Sequence, residues 1–78
     1  MEQSVKVGKR LGARIKNARK AKGLTQDQLA AQLQVEGCDL ARYTLTRIET
    51  GKRHIKVEEL EAIGRVLDMR YEDFFAQE

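Results

Sequence analysis

The residues best suited to do chemistry lie in one short stretch, Arg42-Tyr43-Thr44-Leu45-Thr46-Arg47-Ile48. If this stretch is a helix that buries Leu45 and Ile48, its other side presents Arg42, Tyr43, Thr46 and Arg47, at relative positions i, i+1, i+4 and i+5. Arginine can pair bidentately with the O6 and N7 of guanine in the DNA major groove, and Thr and Tyr can contact thymine methyls, other base edges or phosphates. A face serving only solubility would more typically offer paired Glu and Lys. Other chemistries are poorly supplied. A single Cys, Cys38, and a single His, His54, make neither an intrachain disulfide nor a Cys/His zinc site. Cys38 reads as an inert turn residue and His54 as a surface loop residue. No Ser or Cys nucleophile sits in a recognisable motif, and the Glu residues read as solvated helix faces. The expectation is therefore a protein that is not an enzyme and carries no metal, no cofactor and no small-molecule ligand.

Charge points the same way once it is located along the chain. The 78 residues carry a net charge of only +3. Residues 1–23 nevertheless hold eight Lys/Arg and one Glu, and residues 41–56 hold five basic residues and Glu49. Residues 24–40 hold three acids and no base, and residues 57–78 hold seven acids against Arg65 and Arg70. A chain patterned like this can turn one basic face to a polyanion while the rest stays acidic. The uncharged stretches fall far short of the roughly 18 apolar residues of a membrane span. Met1–Gly12 lacks the apolar run of about 7–15 residues that a secretory signal needs. Cytoplasmic residence is expected.

The elements that must position these residues read as helices throughout. Val7, Leu11, Ile15 and Ala18 line one face of a first helix that Gly23 ends. Thr25 is the expected N-cap of the second, with Gln28 completing a capping box and Leu24 and Leu29 spaced as a hydrophobic staple. That helix puts Leu29, Ala30 and Leu33 inward and stops near Val35, before Gly37. The third helix runs from about Ala41 to Thr50 and stops at Gly51, followed by a basic loop, Lys52 to Lys56. Val57, Leu60, Ile63 and Leu67 define a fourth helix with Glu58 and Glu59 in its first turn, where the helix dipole favours acids. No capping side chain marks its start. Asp68-Met69-Arg70 makes a turn, and Tyr71 to Phe75 a last helical turn. No strand alternation is visible. A short capped helix, a Gly-containing connection and a second short helix form a helix-turn-helix pattern.

The segment Gly23-Leu24-Thr25-Gln26-Asp27-Gln28-Leu29-Ala30 resembles the G-L-T-Q-E-E-L-A signature of Cro/cI-type (XRE-family) helix-turn-helix regulators. Thr44-Leu45-Thr46-Arg47-Ile48-Glu49-Thr50-Gly51-Lys52-Arg53 resembles that family's T-I-S-R-I-E-x-G-K-R. Leu60 to Leu67 is similar to its fourth helix, and Tyr71-Glu72-Asp73-Phe74-Phe75 to its closing L-x-E-L-F. The resemblance spans about Val7 to Phe75. It implies one all-α domain over residues 1–78, a compact five-helix, lambda-repressor-like DNA-binding fold with its core at about 7–75. It implies a sequence-specific transcriptional regulator, a repressor in the main reading. Such a regulator binds a double-stranded operator, an inverted repeat, as a homodimer, with residues 41–50 in the major groove and the protein associated with the nucleoid. By position, Gln26 matches a contact to the DNA backbone, and Arg42, Tyr43, Thr46 and Arg47 match base-reading residues. Thr50, Lys52 and Arg53 match phosphate contacts, while Arg19 and Glu49 match a structural ion pair. Part of the Met69, Tyr71, Phe74 and Phe75 cluster could form the dimer seam. The rival reading is a protein-interaction module, an antitoxin or antirepressor built on the same fold.

Three departures from the family pattern carry expectations of their own. The connection Gln34 to Leu40 is longer than usual and could alter how the third helix meets DNA. Ala41 replaces the usual Ser or Thr before that helix, so Asp39 is the expected substitute cap. Ile55 replaces a common Pro, which predicts a less constrained basic loop.

Overall fold

The computed structural model describes residues 4–5 and 8–75 of the chain. Among them are five helices: α1 (Lys9–Ala21), α2 (Gln26–Val35), α3 (Arg42–Glu49), α4 (Val57–Leu67) and α5 (Tyr71–Phe74). Two short strands, β1 (Ser4–Val5) and β2 (Ile55–Lys56), pair antiparallel with Ser4 opposite Lys56 and Val5 opposite Ile55. The all-α fold stands, with this small bridge added to it. Two residues per strand are too few to show alternation, and the pairing joins distant parts of the chain, so no local pattern announces it.

Local signals place most boundaries. Thr25 Oγ1 accepts from Gln28 N at 3.1 Å while Gln28 Oε1 accepts from Thr25 N at 2.8 Å, the reciprocal box that satisfies two orphan amides of α2. Gly23, Gly37 and Gly51 follow the helix ends with φ of 74°, 83° and 76°, the left-handed region in which a side chain would be strained. α4 ends differently, on Asp68 at φ 55°. At the start of α4, Glu59 supplies half a capping box, its Oε1 accepting from Lys56 N at 2.9 Å.

Two expectations fail here. Asp39 does not cap α3. The cap position belongs to Ala41, whose side chain has no acceptor and makes no cap bond. Nor is the basic loop left loose by the missing Pro: Ile55 is fully buried and paired to β1, so its side chain anchors the loop where ring geometry would otherwise have stiffened it.

The core is the meeting of the apolar stripes. Leu11 and Ile15 of α1, Leu29 and Leu33 of α2, Leu45 and Ile48 of α3, and Leu60, Ile63 and Leu67 of α4 are all buried, and Phe74 of α5 closes one end. Leu40, from the long connection, is buried too, so that segment is tethered to the core. Ala18 and Ala30 pack at its margin, and Val57 is half-buried. Val7 lies outside the described residues. Burying a Leu- or Ile-sized side chain contributes roughly 1.5–3 kcal/mol, so a chain this small depends on nearly every stripe residue.

A close backbone approach aims α3. Gly12 on α1 lies against the C-terminal carbonyls of α3: a Cβ there would sit 2.5 Å from Glu49 O and 2.6 Å from Ile48 O. Only a glycine lets the two helices cross at that separation. Its place inside an apolar helical pattern was the available clue.

Candidate nucleic-acid interface

α3 sorts its residues by face, as a 3.6-residue period requires. Leu45, Ile48 and Glu49 are buried. Arg42, Tyr43, Thr46 and Thr50 are exposed, and Arg47 is half-buried. Tyr43, which could instead have covered the core edge beside Leu40, is 71% exposed. The Arg47 guanidinium lies 5.9 Å from its ring centroid, a cation–π distance that couples the two side chains. Arg47 Nη2 also donates to Lys52 O at 3.1 Å, leaving other donors of its fork for an external acceptor. Arg42 Nη1 is 3.7 Å from Asp27 Oδ2 on α2, with both side chains about 70% exposed, a pair worth little against solvent.

Beneath this outer face is a buried ion pair. Arg19 Nε donates to Glu49 Oε2 at 2.7 Å and Arg19 Nη2 to Glu49 Oε1 at 3.1 Å, a bidentate fork joining α1 to α3. Arg19 Nη1 donates to Leu24 O at 2.7 Å, so the same guanidinium also holds the turn before α2. The fork satisfies the carboxylate directionally, which a lysine ammonium could not do as well.

Gln26 extends the fork outward. Its Nε2 donates to Glu49 Oε1 at 3.0 Å, and its Oε1 accepts from the Thr46 hydroxyl at 2.9 Å. Gln26 is thus half-buried and bridges α2 to α3 rather than standing free at the head of α2. Thr50 donates its hydroxyl back to Thr46 O at 2.8 Å.

The residues after α3 divide. Lys52 is exposed. Arg53 instead faces Glu59, with Nη1–Oε1 at 3.0 Å and Nη2–Oε2 at 3.3 Å, and Nη1 also donates to His54 O at 2.9 Å. Burial of Glu59 pushes its pKa up, but the bonds from Arg53 and Lys56 N outweigh that and hold the carboxyl below its ordinary value. Glu59 is a residue that sequence reasoning treated only as a dipole-favoured acid. Its partner is six residues away across a loop, beyond any helical spacing rule. The Cys38 thiol is pushed up, by burial and then by Glu59, which keeps it in the unreactive protonated form.

At α5, Tyr71 and Phe75 are exposed with ring centroids 5.0 Å apart. They adjoin a groove of about 490 Å³ beside α4 and α5 whose lining includes Val57, Leu60, Met69, Tyr71 and Phe74. Among the described residues, no group of three His, Cys, Asp or Glu could hold a metal ion. No described helix is long and apolar enough to cross a membrane.

Comparison with known proteins matches residues 10–73 to a helix-turn-helix domain family. The restriction-modification controller protein C.AhdI from Aeromonas hydrophila superposes with a TM-score of 0.74 at 27% identity, over 85% of this chain and 92% of that one. The restriction-modification controller protein C.Esp1396I, solved as a tetramer with its natural 35 base-pair operator, superposes with a TM-score of 0.70 at 30% identity, over 94% of this chain and 88% of that one. Curated protein sequences gave no match.

Proposed function

Because the chain belongs to the helix-turn-helix domain family, of the Cro/cI type, we propose that it is a sequence-specific, double-stranded-DNA-binding transcriptional regulator acting as a repressor on an inverted-repeat operator. The observation that carries this reading is the outer face of α3: Arg42, Tyr43, Thr46 and Arg47 stand clear of the core on a helix whose inner side is clamped by Arg19–Glu49 and Gly12. α3 enters the major groove, where Arg42 and Arg47 reach base edges, while Thr50, Lys52 and the N-termini of α2 and α3 meet phosphates. The first turn of α3 favours this arrangement, because its N-cap, Ala41, has no side chain to cap the amides and the neighbouring Arg42 and Tyr43 are exposed. Arg53 acts at one remove, bracing the loop through Glu59.

The exposed Tyr71–Phe75 pair and the adjoining groove supply the apolar seam of a homodimer, whose two-fold axis matches the operator's. Half-sites then lie about one helical turn, roughly 34–36 Å, apart. The protein works in the cytoplasm, on the nucleoid. Selection of bound sites from random duplex DNA tests the reading, and an inverted repeat is the expected product. With about six phosphates neutralised, log K falls against log salt with a slope of roughly −5. Failure to retain any duplex at low salt would favour a module that binds a partner protein.

A further inference from the structure

The hydrogen-bond chain running outward from the buried ion pair has a fixed polarity. Glu49, paired with the Arg19 guanidinium and with its side chain only 2% exposed, is a carboxylate and can only accept. Gln26 must therefore turn its amide NH2 toward Glu49, which leaves its carbonyl oxygen facing Thr46. Thr46 must then donate. Its single hydroxyl proton has two acceptors, Gln26 Oε1 at 2.9 Å and Arg42 O at 3.1 Å, and both lie within the chain. An ion pair buried under the helix thus decides which chemistry an exposed side chain has left to offer.

We propose that Thr46 is a specificity-determining residue that selects a thymine through its methyl group, by apolar contact with the thymine C5-methyl, and not as a hydrogen-bond donor. The Gln26–Glu49 pair holds it in that role. Thymine is the base whose major-groove edge carries a methyl, and a threonine methyl is a suitable surface for it. The inference rests on the DNA-binding reading and specifies one base within it.

The test separates methyl from hydroxyl. Thr46→Val keeps a methyl at that place and removes the hydroxyl, while Thr46→Ser does the reverse. Sites are selected from random duplex DNA with the wild type and both variants, and thermal melting verifies that each variant is folded. The expected result is one thymine per half-site whose preference survives in Thr46→Val and is lost in Thr46→Ser, with the other positions unchanged. Replacing that thymine by deoxyuridine, which lacks the methyl, weakens wild-type binding about fourfold, the equivalent of one buried methyl at about 0.8 kcal/mol. The same replacement leaves Thr46→Ser binding unaltered. Preference kept by Thr46→Ser and lost by Thr46→Val overturns the assignment, as does a selected operator with no thymine that responds to Thr46→Ser. A wild type that selects no sequence overturns the DNA-binding reading itself, and this assignment with it.

Discussion

The two faces of α3 are built on opposite terms. On the inner face every group is committed: Leu45 and Ile48 are at 0% exposure, and Glu49 accepts from three donors belonging to α1 and α2. On the outer face the arginine contacts are looser: an exposed 3.7 Å pair for Arg42, and for Arg47 a ring contact and one bond to Lys52 O. The difference separates two tasks. The inner face aims the helix, and the outer face spends its threonine hydroxyl protons within the chain while leaving most of its guanidinium donors for another molecule. Bidentate recognition tolerates little misplacement, so rigid aim behind lightly engaged arginines is what a reading helix requires.

Breaking the inner face has the largest consequence. Arg19→Leu strands the Glu49 carboxylate in the core. The expected loss is about 3–5 kcal/mol, a large share of the total stability of a domain this size. Chemical denaturation measures it, and a loss below 1 kcal/mol would mean that the pair is not buried in solution.

Gly12→Ala comes next. Its methyl meets backbone oxygens that cannot rotate away, so α1 and α3 must separate at a cost of about 1–3 kcal/mol. DNA affinity falls by more than the unfolded fraction accounts for, because α3 is re-aimed. Melting and binding measured on the same sample distinguish the two contributions.

Changing the outer face reverses the pattern. Arg47→Ala leaves the melting temperature nearly unchanged and weakens operator binding by about 1–3 kcal/mol, with relaxed preference at one base pair. An operator titration with unchanged affinity and preference would remove Arg47 from the reading set.

The smallest effect concerns acid. Glu59 has a folded-state pKa below its unfolded value, so the stability it contributes is fully present above the ordinary carboxyl range near 4.5. That contribution is lost as pH falls through the depressed value. Glu59→Gln should therefore flatten the decline in melting temperature between about pH 5 and pH 3. A decline as steep as in the wild type would show that the Arg53–Glu59 brace does not form in solution.

Much of this division was legible in the residues. The stripes of α1 to α4 follow helical periodicity closely enough to name nearly the whole core, and Thr25 with Gln28 announces the start of α2 to the residue. The outer face of α3 follows from the burial of Leu45 and Ile48. Three features were not legible. Asp39 was a plausible cap by composition, but capping depends on which residue occupies one position, and Ala41 occupies it. At Ile55 the local pattern shows only the absence of a Pro, whereas its pairing partner lies at the other end of the chain. Arg53 is indistinguishable in sequence from its basic neighbour Lys52, and only the path of the loop brings its fork onto Glu59.

What the sequence determined by itself was governed by near neighbours: helix periods, the α2 capping box, left-handed glycine stops and the segregation of charge into basic and acidic blocks. These depend on contacts within about four residues, and the backbone's own geometry dictates them. What only the tertiary structure decided was which donors are spent and which remain available. The span from Arg19 through Glu49 and Gln26 to Thr46 crosses three helices. Its hydrogen-bond polarity follows from the Glu49 carboxylate, which as the partner of the Arg19 guanidinium can only accept.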